Sequence, residues 1–210
     1  MNLKKSTDQQ LTAANFYADL LNEISARIEI LNMAINGKLN LPPPFIREIG
    51  YLQLRMMCEL VAIGCLVAHG EIEETKSLRD VYEADKIIRC LEKLHPNFYP
   101  HPVRITKMDN STNLENIEQG YLSKSELKDL YHRCGEKLHR GRLGSFKNSS
   151  DGMMESDFSD ILGWGRKFIT LLESHLISSK DNLSHLICVL RSEDADNRAL
   201  VVIAQSPLPQ

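Results

Sequence analysis

The chain has 210 residues, 42% hydrophobic and 25% charged, which is ordinary for a globular protein and long enough to enclose a core. A net charge of -3 excludes coating of nucleic acid by bulk positive charge, yet leaves room for a local basic patch. The opening MNLKKSTDQQ lacks the apolar segment of a signal peptide, and the longest apolar run, Leu60 to Ala68, is too short to cross a bilayer, so a cytoplasmic protein without membrane contact is expected.

Residues 1–9 are polar and are expected to fray. Leu11 to Ile35 then reads as a long helix, with Phe16, Leu20, Ile24, Ile28, Leu31 and Ile35 recurring at steps of three and four on one face. Asn36-Gly37 supplies its stop, and Leu41-Pro42-Pro43-Pro44 a stiff connector. Phe45 to His69 is the most apolar helix. Phe45, Ile49, Leu52, Met56, Leu60, Ile63 and Val67 form one face; Tyr51, Cys58, Ala62 and Cys65 form another. A helix apolar over so much of its circumference belongs at the centre of a helical pack. Arg55 and Glu59 lie one turn apart within it, either as an internal salt bridge or as the lining of a functional groove.

Leu78 to Leu94 reads as a third helix, ended by His95-Pro96. Regular patterning is lost from 97 to 120, where Val103-Arg104-Ile105 suggests a short strand and Asp109 to Asn116 a loop. Ser123 and Glu126 have capping-box spacing and open a helix whose inward residues are Leu127, Leu130, Tyr131, Cys134 and Leu138. After a polar loop, Asp157 to Ser178 reads as the last long helix. The tail changes period: Leu186 to Leu190 and Ala199 to Ala204 flank a polar turn, as in a β-hairpin. A lone hairpin is marginal in water, so this one is expected to pack on the helices, pair with a strand near Val103, or pair with another chain. The pattern predicts a mainly α protein, a single domain over 1–210 with a bundle of four to five helices over 10–178 and a hairpin appended at 183–206.

Chemistry concentrates at the end of the Ser123 helix, in HRCGEKLHRGR. Arg133, Lys137, Arg140 and Arg142 stand against the single Glu136, a basic patch suited to phosphate. His132 and His139 add groups that titrate near neutrality. Beside a phosphodiester, an imidazole moves the 2′-OH proton and a guanidinium stabilises charge on phosphorus, which suffices for metal-free RNA cleavage. Six helical residues set Arg133 and His139 roughly 120° apart, so they converge only where the helix ends between them or where a second subunit completes the groove. The same cations also suit the negative end of a helix dipole. Cys134, beside Arg133, is a further candidate for a thiol of lowered pKa. Five cysteines without a CxxC pair fit a reducing compartment, and no cofactor or metal is expected.

Arg133-x5-His139 near a helix end, in a chain of four or five helices, resembles the HEPN domains of prokaryotic toxin–antitoxin and antiviral systems. Many of these are metal-independent endoribonucleases that dimerise so that two motifs form one site. The resemblance implies a catalytic pair of Arg133 and His139, RNA contacts from His132, Lys137, Arg140 and Arg142, a homodimer, and an antitoxin or other protein partner. The residue after the family arginine is usually Asn, Asp or His and here is Cys134. Some members bind without cleaving, which leaves open a non-catalytic helical module for RNA, a nucleotide or a partner protein.

Overall fold

In the computed structural model, residues 2–70, 72–78, 80–108, 111–139 and 151–205 are described. Among them are five α-helices: α1 (Asn2–Ile35), α2 (Pro43–Ala68), α3 (Ala84–Leu94), α4 (Lys124–Leu138) and α5 (Asp151–Leu172). Five strands accompany them: β1 (His101–Met108), β2 (Ser111–Asn116), β3 (Ser174–Ser178), β4 (Ser184–Ser192) and β5 (Arg198–Gln205). They form one antiparallel sheet in the order β2-β1-β3-β4-β5. The fold is therefore α+β, and the expected helical bundle with a single appended hairpin is incorrect.

Two segments account for the difference. Leu171, Leu172 and Leu176 fit helical spacing, but α5 stops at Leu172, and Ser174 to Ser178 alternates as a strand with His175 and Ile177 inward. Residues 111–116, expected as loop, pair with β1 from Asn116 opposite Val103 to Ser111 opposite Met108. Their sequence, STNLEN, is polar on both faces and carries no period-two signal. The predicted hairpin exists, with Leu186 opposite Ile203 and Cys188 opposite Val201, but β3 joins it to β1 through Leu176 opposite His101. Its inward side chains Cys188 and Leu190 share one hydrophobic cluster with Leu21, Leu54, Ile88, Leu130 and Phe168. Aliphatic burial of this kind stabilises by roughly 1.5–3 kcal/mol per fully buried side chain, which is what holds the sheet against the helices.

Local signals set the helix ends. Gly37 has φ +71, and Lys38 N–H and Gly37 N–H bond to the carbonyls of Met33 and Ala34, a Schellman stop for α1. At its other end α1 extends back to Asn2, through residues expected to fray. Pro42 caps α2 and Pro43 occupies its first turn, where a missing N–H costs nothing. The third helix starts later than expected, at Ala84, because Glu83 is extended; Glu73–Leu78 is a separate 3-10 turn. Ser123 and Glu126 make the reciprocal capping bonds at 3.3 and 3.0 Å that their spacing implies.

Packing selects the faces. On α1 the inward aromatic is Tyr17, 3% exposed, while Phe16 is 51% exposed. On α2 the deeply buried face carries Tyr51, Leu54, Met57, Cys58, Ala62 and Cys65, whereas Phe45 and Leu52 of the other apolar stripe are exposed. The helices α1, α3, α4 and α5 all pack on α2. Among the described helices α2 alone is long and apolar enough to cross a membrane, and over half of that apolar window is buried by its neighbours.

Candidate functional site

Helix α4 turns its predicted residues toward two neighbours, α3 and α5, and ends at an exposed His139. His132 turns toward α3, where its Nε2 lies 2.8 Å from Asp85 Oδ2. Arg89 also donates to Asp85. Burial pushes the Asp85 carboxyl up, but the hydrogen bonds from His132 and Arg89 outweigh it and hold the group below its ordinary range. His132 thus serves a helix–helix contact, not the same surface as Arg133.

Arg133 and Lys137, one turn apart, both face α5. Arg133 Nη2 is 2.9 Å from Asp160 Oδ2 and its side chain is 45% exposed. Lys137 Nζ donates to Asp157 Oδ1 at 2.6 Å. Asp157, only 6% exposed, also accepts from Arg47 and, at 3.0 Å, from the Tyr51 hydroxyl. That hydroxyl lies 3.1 Å from Asp160 Oδ2 as well, so its one hydrogen is shared between two carboxylates. Trp164 Nε1 donates to Asp160 Oδ1 at 3.1 Å. Burial raises the Asp157 pKa, and the bonds from Lys137, Arg47 and Tyr51 overcome this to leave it lowered. Burial and the two carboxylates push the Tyr51 phenol well up.

His139 is the first residue past α4, with φ -78 and ψ 111, and it is exposed. Its N–H still bonds to Gly135 O. The helix therefore does end between the motif residues, but only at Leu138, and among the described residues no hydrogen bond or ion pair joins Arg133 to His139. Arg140 and Arg142 lie outside the described residues.

Arg55 and Glu59 form the internal alternative. Arg55 Nε is 3.3 Å from Glu59 Oε1. Its guanidinium stacks 4.2 Å from the Tyr131 ring centroid and donates to the Tyr131 hydroxyl at 2.9 Å. The cation ties α2 to α4 through stacking and hydrogen bonds. Cys134 points into the core, and burial pushes its thiol up to about 12, which removes it as a nucleophile at neutral pH. Among the described residues no group of three His, Cys, Asp or Glu side chains is placed to hold a metal.

The residues not foreseen are Arg47, Tyr51, Asp157, Asp160 and Trp164. Asp157, Asp160 and Trp164 recur at i, i+3 and i+7 along α5, a polar stripe whose signal is visible only once α4 is known to lie opposite. Comparison with protein-family models, with curated proteins and with solved structures returned no match, so none of them identifies a HEPN domain.

Proposed function

We propose that the α4 surface carrying Arg133 and His139 engages the phosphodiester backbone of RNA and that the protein is a HEPN-like, metal-independent endoribonuclease. The supporting observation is that α4 ends at Leu138, placing an exposed imidazole beyond a half-exposed guanidinium on the same short segment. In this reading His139 takes the 2′-OH proton, the 2′-oxygen attacks phosphorus, and the P–O5′ bond breaks to give a 2′,3′-cyclic phosphate and a 5′-OH. The leaving 5′-oxygen takes its proton from a second histidine, supplied by another copy in a homodimer, or from water. Arg133 stabilises the charge that develops on the phosphoryl oxygens. A role in defence, or as a toxin held by an antitoxin, belongs to the same proposal.

The test is cleavage of RNA in EDTA. Activity that disappears in folded Arg133→Ala and His139→Ala proteins supports the site; activity that persists in both excludes it.

A second reading, binding without turnover, is favoured by one specific observation: Arg133 and Lys137 are already paired with Asp160 and Asp157. It predicts salt-sensitive RNA binding that Arg140→Ala and Arg142→Ala weaken, with no cleavage product.

A further inference from the structure

The α4 face assigned above to RNA already has carboxylates on it, and the two ion pairs there differ in kind. Lys137–Asp157 is largely enclosed, with its acid 6% exposed and bound by Arg47 and Tyr51 as well. Arg133–Asp160 is open: the arginine is 45% and the aspartate 19% exposed. Asp160 does not depend on Arg133 for its position, because Trp164 Nε1 holds Oδ1 and the Tyr51 hydroxyl approaches Oδ2. If Arg133 swings away, Asp160 keeps the Trp164 N–H and a share of the Tyr51 hydroxyl hydrogen, and is not left as an orphaned charge. Arg133, by contrast, offers Asp160 the same N–H groups that a phosphate oxygen would use.

We infer that Asp160 is an autoinhibitory stand-in for a backbone phosphate, which RNA displaces from Arg133 when it binds. This inference rests on the RNA surface proposed above and adds its regulation. The exchange is between one partly hydrated anion and another, so the inhibition is graded and not absolute. The Lys137–Asp157 pair stays in place as the fixed part of the surface.

The test uses the full chain and a fluorescent 2′-O-methyl oligoribonucleotide, which lacks the nucleophile and cannot be cleaved. Asp160→Asn should bind about five-fold tighter than wild type, with a salt dependence steeper by about one released ion. Asp160→Glu, which keeps the charge, should bind like wild type, and adding Arg133→Ala to Asp160→Asn should abolish the gain. Asp160→Ser removes the charge with a different side chain and covers the case in which Asp160→Asn does not fold. Wild-type binding that depends on Arg133 but is unchanged in folded Asp160 variants would overturn the inference and leave the RNA surface standing. Absence of binding by every variant would remove the RNA surface itself, and the inference with it.

Discussion

Tyr17 on α1 and His175 on β3 meet at 2.8 Å, both buried. His175 Nδ1 lies 3.2 Å from the Leu172 carbonyl, which can only accept, so Nδ1 carries the proton and Nε2 receives the Tyr17 hydroxyl hydrogen. This bond ties the helices to the strand that sequence patterning alone assigns to α5. Tyr17→Phe keeps the ring and leaves Nε2 unpaired in the core. A loss of about 1–3 kcal/mol is expected, read from urea denaturation midpoints.

The same histidine sets a pH dependence. Burial pushes its pKa down to about 4, with the Leu172 bond opposing weakly. The unfolded chain, with an ordinary histidine near 6.5, binds this proton more readily than the folded chain. Its contribution is therefore complete above about pH 6.5 and is lost as pH falls toward 4, roughly 3 kcal/mol in all. Asp85 and Asp157, whose carboxyls are held low, add a further loss below about pH 4. Denaturation midpoints measured from pH 7 to 4 should decline, and His175→Gln should flatten the part above pH 4. A profile identical to that of wild type would contradict the assignment.

Glycines on two helices should respond in opposite senses. A Cβ at Gly64 on α2 would sit 2.8 Å from Tyr17 Cε2, and that ring is held by His175. Gly64→Ala is expected to cost about 1–3 kcal/mol. At Gly163 on α5 a Cβ meets nothing within 4 Å, and Gly163→Ala should stabilise by up to ~1 kcal/mol. Thermal melts of the two proteins should move apart.

Asp157 of α5 and the motif residues should separate stability from activity. Asp157→Ala leaves Arg47 and Lys137 without their shared counter-charge and should cost about 3 kcal/mol. Arg133→Ala and His139→Ala alter exposed or half-exposed groups and should each change stability by less than about 1 kcal/mol. Calorimetry on the three proteins checks the ordering. It also ensures that lost RNA activity in the motif variants is read as chemistry and not as unfolding.

Ser123→Ala removes one half of the capping box at the start of α4 and should cost about 1 kcal/mol. Ser123→Thr, which retains the hydroxyl as acceptor and donor at the same point, should recover most of it in the same melting measurement.

Much of the helical framework is legible in the amino-acid sequence. Asn36-Gly37, Pro42-Pro43 and the Ser123/Glu126 box each act through atoms within a few residues along the chain, and each marks a real helix end. The strands are legible where apolar residues concentrate, at 186–190 and 199–204, and not at 111–116, where polar residues face both ways. Within the site, spacing singles out Arg133 and His139 but says nothing of their surroundings.

Sequence alone is enough to set where α2 and α4 start and where α1, α2 and α3 stop, because capping, proline and glycine effects are local. Tertiary structure alone decided that Tyr17 and not Phe16 is buried, that Ser174–Ser178 is a strand, and that Arg133 is held by Asp160. Each of these depends on a partner distant in the chain: His175 for Tyr17, Cys188 opposite His175 in the sheet, and α5 opposite α4. Burial, strand pairing and ion pairing are interactions through space, and their partners are fixed only when the chain closes on itself.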